Sequence, residues 1–458
     1  MKKYIYNLLF PLLLVLLIIF TGCNKGGIKN GNLEKNPQLV PENIARIVAV
    51  NFNPATYLNT NSATNHSPVK VTLTGNNAIK NILTINDNNN IPAFYICNFE
   101  KNEGFLIVSA DYRIAPVLAF VEQGEFSSEI WNNKDKDFVI PYGFTRWVSR
   151  TIENVEMARK GLYDSTQHAI WAWRNYLAKN APNGTVAKSS DKDAFDKAVT
   201  AEPNDIKTPA TKPPPPPPNP CASNPGYESS GPATTVGPLL SVTWGQQNTY
   251  NDLCPNVACT EPWGPNALTG CVATSTAMIL DYWHPANSYN YNYASMPATI
   301  GNAEVERLMS DIGVKVNMQY GCEVSLAYAS VVPGVLKTYF GISSANYSGY
   351  SSANVYQVIT DLNNLWPVIL AGSDATAGGH QWVCDGYSES VYTYCSNGEP
   401  QTSNEIILHM NWGWHEYFTN PPYNGPDYNG WFTYNNWAVS GLNVNFQYSD
   451  ASIMEIHP

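Results

Sequence analysis

A run of six consecutive prolines, Pro213–Pro218, interrupts this chain of 458 residues near its middle. Proline has no backbone N–H and holds φ at about −65°, so the run excludes a helix or a central strand and forms a polyproline II rod of about 20 Å. The residues before it, 188–212, are polar and offer too little apolar surface to pack into a core. We therefore predict a linker over 181–231 between two folded units, in preference to a docking motif for a proline-binding partner.

The two segments that flank the linker both predict α+β folds. In the first, 40–180, apolar stretches within Ala93–Phe126 are separated by the polar turn "EKNEG", as is typical of short antiparallel strands. Apolar residues between Trp147 and Met157 then recur at helical spacing. The second segment, 232–458, begins with a helical pattern and ends in β-like stretches rich in glycine and aromatic residues.

The first 22 residues, 1–22, have the pattern of an export signal. The apolar run Leu8–Phe20 is too short and too close to the start for a membrane span. It ends in "TGC", which resembles the lipobox of bacterial lipoproteins and implies that Cys23 becomes lipid-modified; an ordinary signal peptide is the alternative. We expect 23–39 to be a tether. The protein would then be an outer-membrane or cell-surface lipoprotein, or secreted after processing, and would touch a membrane only through its lipid.

The charge of the chain argues against nucleic acid as a partner. Charged residues make up 14% of the chain and the formal net charge is −11, with no long run of lysine or arginine. An aromatic content of 12% with this low charge is typical of a folded, exported protein.

The nine cysteines predict disulfides rather than a metal site. Their spacing does not match a zinc finger, and export permits disulfides. Cys384 and Cys395 flank what reads as two strand segments joined by a turn near Ser388–Ser390, so a cross-strand bond between them is one prediction. A loop-closing bond between Cys254 and Cys259 is another, although spacing alone leaves the connectivity open.

One of these cysteines, Cys271, stands at the start of a helical pattern in "TGCVATSTAMILDYW", Thr269–Trp283. Gly270 allows a sharp turn into the helix, and Pro285 ends it. A cysteine in the first turn lies beside unpaired N–H groups and the positive end of the helix dipole, and both favour the thiolate. Taken alone, the stretch fits a buried, inert cysteine better than a nucleophile.

The partners that a nucleophilic thiol needs are also present after the linker. It needs a base, a group that orients the base, and donors for the oxyanion. His380 follows two glycines in "AGGHQWVCDGY" and begins an apolar strand. In "LHMNWGWHEYF", Asn411 is suited to holding an imidazole tautomer, and the indole of Trp412 to shielding that bond. Gln246 in "VGPLLSVTWGQQNTYNDLCP" offers an amide donor. Each of these residues alone also has an ordinary structural interpretation.

In the order Gln, Cys, His, Asn, these elements resemble papain-like peptidases, and specifically the streptopain family of bacterial cysteine peptidases. The matching segments are "GPLLSVTWGQQNTYNDLCP", "TGCVATSTAMILDYW", "GGHQWVCDGY" and "HMNWGW". The earlier segment "GFLIVSADYRIAPVLAFVEQGEF" is similar to the pro-domain of that family. The resemblance implies a papain-like catalytic domain, with a helical half and a β-sheet half, preceded by an inhibitory α+β pro-domain. It also implies that no cofactor is needed.

The resemblance assigns a role to each matching residue. Cys271 would be the nucleophile and His380 the general base and acid. Gln246 and the backbone N–H of Cys271 would hold the oxyanion, and Asn411 or Trp412 would orient and shield the histidine.

The sequence departs from the family's pattern after Trp414. The family usually continues "NWGWGG", whereas His415 and Glu416 stand at the glycine positions here and extra residues precede Gly430. Because this loop borders the substrate groove in the family, the departure puts substrate preference in doubt.

We therefore expect a cysteine endopeptidase made as a zymogen and acting on protein or peptide substrates. Its own pro-domain, 40–180, would block the groove until a cut on either flank of the proline run, near 188–207 or 222–235, releases activity. The alternatives are a papain-like amidase acting on cell-wall peptides and a non-catalytic surface-binding lipoprotein.

Overall fold

The computed structural model describes residues 38–54, 77–127, 142–160, 167–178, 219–224, 226–231, 233–260, 264–349, 354–374, 378–415, 417–419, 422–424, 428–434 and 451–458. The predicted signal peptide, Cys23 and the proline run lie outside these residues. Both predicted folded segments lie within one compact body, 37–458.

The helices fall in both segments. They are α1 Glu42–Asn51, α2 Tyr142–Arg159, α3 Gln167–Ala178, the short α4 Pro220–Ser223, α5 Cys271–Trp283, α6 Ala303–Lys315, α7 Val332–Tyr339 and α8 Asn354–Asn363.

The strands also fall in both segments. They are β1 Ile79–Asn86, β2 Pro92–Phe99, β3 Phe105–Ser109, β4 Val117–Val121, β5 Glu228–Ser230, β6 Thr234–Val236, β7 Ser344–Gly349, β8 Val368–Asp374, β9 Gly378–Ser396, β10 Glu399–Asn411, β11 Tyr417–Thr419, β12 Pro422–Asn424, β13 Gly430–Tyr434 and β14 Ala451–His457. The α+β class predicted from the sequence is confirmed, including the hairpin β2–β3 around "EKNEG".

One antiparallel sheet runs through both segments in the order β1-β2-β3-β4-β13-β10-β9-β8-β14-β7. The junction between the segments is the pair β4–β13, in which Trp431 lies opposite Phe120. Gly430 makes this approach possible, because a Cβ there would lie only 2.3 Å from the carbonyl oxygen of Phe120. Beside the pair, the indole N–H of Trp431 donates to Glu122 Oε1 at 3.0 Å.

The core is shared between the two segments. Phe144 and Trp147 of α2 pack on Phe432 of β13, with ring centroids 5.9 and 5.1 Å apart. Phe432 in turn packs on Trp412 at 5.3 Å. On the other face of the sheet, Trp173 of α3 lies in a cluster that includes Trp431. A further cluster holds the buried faces of α5, α6 and α7.

The described end of the predicted linker, 219–231, lies against β9 and β10. Glu228–Ser230 forms β5 and pairs with β9, and Cys221 forms a disulfide with Cys395 at the end of β9. The side chain of Asn219 donates to the carbonyl of Gly398 at 3.0 Å. The predicted domain boundaries themselves stay predictions.

The two predicted disulfides are wrong. The bonds found are Cys221–Cys395 and Cys259–Cys322, while Cys254 and Cys384 are buried free thiols.

The error at Cys384 and Cys395 has a simple geometric cause. Both residues lie on the single long strand β9, where a rise of about 3.3 Å per residue separates them by more than roughly 30 Å. The predicted turn at Ser388–Ser390 is therefore continuous strand. The real turn is Asn397-Gly398, whose φ angles of 52° and 78° suit the tight connection to β10.

Candidate active site

Cys271 is the first residue of α5, as predicted. Gly270 precedes it with φ 85°, and α5 ends at Trp283, after which His284 adopts a left-handed conformation before Pro285. A Cβ on Gly270 would also lie within 3 Å of Met318 and of the Ser325 carbonyl, so glycine is required for both reasons. Cys271 is half-buried while the following turns of the helix are buried.

His380 lies near the start of β9 and is 5% exposed. Its Nε2 lies 2.9 Å from the carbonyl oxygen of Trp412. The ring stacks on Trp382 at 5.9 Å and meets the ring of Trp414 nearly at a right angle at 6.2 Å. Backbone and indoles of two neighbouring elements thus fix the imidazole.

Cys271 and His380 line the same cavity, which has a volume of about 300 Å³. Its lining also includes the apolar residues Leu326, Tyr328 and Tyr347, which are 46%, 78% and 46% exposed. Within the described part of the chain, every lining residue comes after the linker. Described pro-domain residues are not among those that line this cavity, and the expectation that the pro-domain blocks the groove stays a prediction.

Gln246 is held directly beside the nucleophile's turn. Its carbonyl oxygen accepts the backbone N–H of Thr269 at 2.9 Å and the Thr269 hydroxyl at 3.3 Å. Its side-chain Nε2 is buried and has no hydrogen-bond partner among the described residues. A buried amide donor without an acceptor is costly unless a ligand supplies one. The oxyanion of an acyl-transfer reaction would be such an acceptor.

The side chain of Asn411 is engaged away from the histidine. Its Nδ2 donates to the Val242 carbonyl at 2.8 Å, and its Oδ1 accepts the N–H of Gly413 at 3.3 Å. The indole of Trp412 is fully buried and donates to the Tyr428 carbonyl at 2.8 Å. This element contacts His380 through the main-chain oxygen of Trp412, and the orienting roles of the Asn411 and Trp412 side chains stay predictions.

Two aromatic neighbours of His380, Trp382 and Trp414, were not predicted. Trp382 follows His380 by two positions on β9, and this spacing places both side chains on one face of a strand. That signal was present in the sequence. The position of Trp414 depends on the path of the chain after β10, which residue spacing does not give.

The electrostatics of the site favour neutral groups. Burial raises the pKa of the Cys271 thiol, although the backbone N–H groups of Gln381, Val272 and Cys271 lower it. Burial lowers the pKa of His380 to about 4, against the contact with the Trp412 carbonyl, which raises it. The helix begins where it was predicted, but desolvation outweighs the donors around the sulfur and keeps the thiol pKa above its ordinary value.

Two family models match the chain. The model described as "Peptidase C10 family" matches 244–295 and 285–419, which include Cys271 and His380. The model described as "Spi protease inhibitor" matches 37–142, in the predicted pro-domain. The segment 244–419 of the chain is similar to the Peptidase C10 family. The predicted streptopain-like peptidase segment and pro-domain are both confirmed.

The relatives of this chain include streptopain of Streptococcus pyogenes, which is 28% identical over 218 residues. That match covers 38% of this chain and 51% of streptopain, so the chain spans about half the length of the curated relatives it matches. The thiol protease/hemagglutinin PrtT of Porphyromonas gingivalis is 25% identical over 358 residues, which is 70% of this chain and 32% of that protein. Among solved structures, a prointerpain A fragment of Prevotella intermedia is 21% identical, with a TM-score of 0.47, and the match covers 82% of this chain and 99% of the fragment.

Neither a metal centre nor a membrane span was found in the described part of this chain. Its histidine, cysteine and acidic side chains form no group of three that would hold a metal ion. Within the same residues, helices lack the combined length and hydropathy needed to cross a bilayer.

Proposed function

We propose that this protein is a cysteine endopeptidase that hydrolyses peptide bonds of proteins with Cys271 and His380. The observation that carries the proposal is their placement: a thiol at the first turn of α5 and an imidazole on β9 line one cavity. The unpartnered Nε2 of Gln246 beside that turn adds a donor for the oxyanion.

The reaction would follow from these positions. His380 takes the thiol proton, and the Cys271 sulfur attacks the peptide carbonyl carbon. The negative charge on the carbonyl oxygen is met by Gln246 Nε2 and the backbone N–H of Cys271. His380 then gives its proton to the leaving amine. Water, deprotonated by the same histidine, attacks the thioester and restores the thiol.

Substrate side chains next to the scissile bond would meet an apolar surface. Leu326, Tyr328 and Tyr347 remain exposed along the cavity, and exposed apolar residues grouped at a cleft favour binding of apolar groups. We therefore propose substrates with apolar side chains in that position.

The pro-domain would keep the enzyme latent by acting on the wall that carries His380. Its rings Phe144 and Trp147 pack on Phe432, and Phe432 packs on Trp412, whose carbonyl contacts His380. We propose that these rings help to exclude water from the wall around His380, where burial lowers the pKa of the imidazole. Removing them would hydrate the wall and bring the pKa back toward its ordinary value, where a thiolate–imidazolium pair forms more readily.

Export and lipid attachment at Cys23 belong to the same proposal. They depend on the sequence alone, because Cys23 lies outside the described residues. Radiolabelled fatty-acid incorporation by the wild-type chain, and its loss in Cys23→Ser, would test the attachment.

The proposed activity is tested by labelling the purified protein with iodoacetamide and mapping the modified cysteine, alongside a casein-cleavage assay. Fast labelling at Cys271 together with casein cleavage supports an endopeptidase. Cleavage of peptidoglycan fragments without casein cleavage would instead indicate an amidase, and the absence of both activities would indicate a binding protein.

A further inference from the structure

A buried polar bridge connects the elements that carry Cys271 and His380. Gln381 follows His380 on β9, and Ser275 lies one turn after Cys271 on α5. Gln381 Nε2 donates to Ser275 Oγ at 2.8 Å, and Ser275 Oγ donates to the carbonyl oxygen of Cys271 at 2.6 Å. The two bridging side chains are 2% and 1% exposed, so water does not compete for these bonds.

The direction of each bond in the bridge is fixed. The Ser275 hydroxyl has a single proton, and the Cys271 carbonyl can only accept. The amide of Gln381 must therefore donate to Ser275, and its orientation is determined. Its Oε1 then points away from Ser275, where it is buried and has no partner among the described residues. Leaving a buried oxygen without a hydrogen bond costs free energy, and an apolar residue at this position would avoid that cost. Such a cost is unusual for a side chain that only fills space.

The main chain of Gln381 also acts on the nucleophile. Its backbone N–H favours the charged form of the Cys271 sulfur and so opposes the effect of burial on the thiol pKa. One residue thus influences the sulfur with its backbone and holds the turn that carries the sulfur with its side chain.

We propose that Gln381 and Ser275 are positioning residues that set the separation between the Cys271 sulfur and the His380 imidazole. This inference rests on the proposed peptidase function. The bridge connects the helical half to the β-sheet half. At one end Ser275 lies one helical turn from Cys271, and at the other Gln381 is adjacent to His380. Proton transfer and attack require such groups to be held to within a fraction of an ångström. Without the bridge, α5 and β9 can shift relative to each other.

The test uses the full-length chain carrying Gln381→Met, Ser275→Ala or both. Methionine keeps the length of glutamine but loses its donor, and alanine removes only the Ser275 hydroxyl. After self-processing, each single variant should lower kcat on a peptide substrate by about tenfold with KM within about twofold, as expected for one buried hydrogen bond that acts on the chemistry. The double variant should be no slower than the slower single variant, because either change breaks the same bridge.

A second readout separates positioning from a purely structural role. The pH dependence of iodoacetamide labelling at Cys271 should move to higher pH in both single variants, because the sulfur moves away from its donors and from His380. Ser275→Thr retains a hydroxyl that can accept from Gln381 and donate to Cys271, so it should keep the wild-type pH profile.

The matched control is another buried side-chain bond to the same strand. Thr235 Oγ1 and Ser388 Oγ lie 2.8 Å apart between β6 and β9, far along β9 from His380. Thr235→Val and Ser388→Ala should leave both kcat and the labelling profile unchanged, whatever they do to the melting temperature.

Three results would overturn the inference: wild-type kcat and labelling profile in Gln381→Met and Ser275→Ala, additive losses in the double variant, or equal losses in the control variants. If Gln381→Met does not fold, Ser275→Ala alone decides, since it removes one atom. A wild-type chain that neither cleaves peptides nor labels at Cys271 would refute the proposed function, and that result is distinct from failure of the bridge alone.

Discussion

The thiol of Cys271 differs from the other described free thiols in its access to solvent. Cys97 and Cys254 are buried, and desolvation raises the pKa of each to about 12. Burial also raises the pKa of Cys384, next to the Asp385 carboxylate. Cys271 is half-buried, lines a cavity, and has three backbone N–H groups that favour its thiolate. Reactivity at this position therefore follows from access and donors together.

Replacing Cys271 by alanine should abolish casein cleavage and fast iodoacetamide labelling while leaving the fold intact. Exchanging a thiol for a methyl group removes little buried volume, so the melting temperature should change by only a few degrees. Cleavage and circular dichroism on the same preparation measure both effects. Undiminished casein cleavage by Cys271→Ala would contradict the mechanism at its first step.

Replacing Gln246 by alanine should lower kcat about a hundredfold with little change in KM, because its amide is used only when the oxyanion forms. Gln247 is the matched control: it is adjacent, 1% exposed, and its side-chain atoms have no partner among the described residues. Gln247→Ala should retain most of kcat. Steady-state kinetics on a peptide substrate compares the two, and equal losses would remove the oxyanion role from Gln246.

At the scale of single elements, the sequence predicted local features better than it predicted contacts between distant segments. The start of α5 at Cys271, its end before Pro285 and the turn between β2 and β3 all follow from signals within a few residues. The length of β9 and the bond Cys221–Cys395 do not follow from such local signals. Both depend on which distant segments pair with β9. The Asn397-Gly398 pair was a local signal of the true turn. Cys221 reaches β9 only because β5 pairs with that strand, a contact between segments far apart in the sequence.

The strand β10 carries a buried ion pair whose strength should depend on pH. His409 Nδ1 lies 2.6 Å from Asp385 Oδ1, and both residues are buried. Burial opposes protonation of His409, but the Asp385 carboxylate, with a smaller effect from Glu122, outweighs it and raises the pKa of the imidazole. The folded protein therefore holds a proton that the unfolded chain releases near pH 6.5.

The pair's contribution to stability should be fully present below about pH 6.5 and decline as pH rises through the higher pKa of folded His409, with a slope of at most about 1.4 kcal/mol per pH unit. Melting temperatures between pH 6 and pH 9 would show this decline. In His409→Gln the melting temperature should be lower and the decline smaller than in the wild type. His284→Gln, at an exposed histidine, should retain it. A wild-type melting temperature that rises over this range would contradict the assigned pKa direction.

In the described part of the chain, one long sheet carries the pro-domain strands at one end and the catalytic strands at the other, and β11 and β12 form a separate pair. Their junction has strand pairing between β4 and β13, shared aromatic packing and the Trp431–Glu122 bond. The sequence predicted two folded segments, the linker and their order along the chain. It did not predict that the sheet is continuous. The alternation of apolar and polar residues within β4 and β13 indicates which face of each strand is buried, but it does not indicate that these two strands are neighbours.

The Cys221–Cys395 bond makes the two predicted cleavage regions unequal. A cut within 188–207 lies before Cys221, so the catalytic segment keeps both cysteines and the pro-domain is held only by non-covalent contacts. A cut within 222–235 leaves Cys221 on the pro-domain side, still bonded to Cys395. The second region is also partly protected, because β5 and β6 pair with β9, and proteases cut exposed, unpaired backbone.

Activation should therefore occur by cleavage within 188–207, and the pro-domain should then separate without reductant. The test mixes full-length Cys271→Ala, which cannot process itself, with active enzyme and compares gels run with and without reductant. Two separate fragments under both conditions are expected. As a control, a protease site inserted after Ser223 and cut by an added protease should give two fragments only with reductant, and activity should stay low until the disulfide is reduced. If the natural cut maps after Cys221, or if the inserted-site form is fully active without reductant, the disulfide does not retain the pro-domain and latency must end by another route.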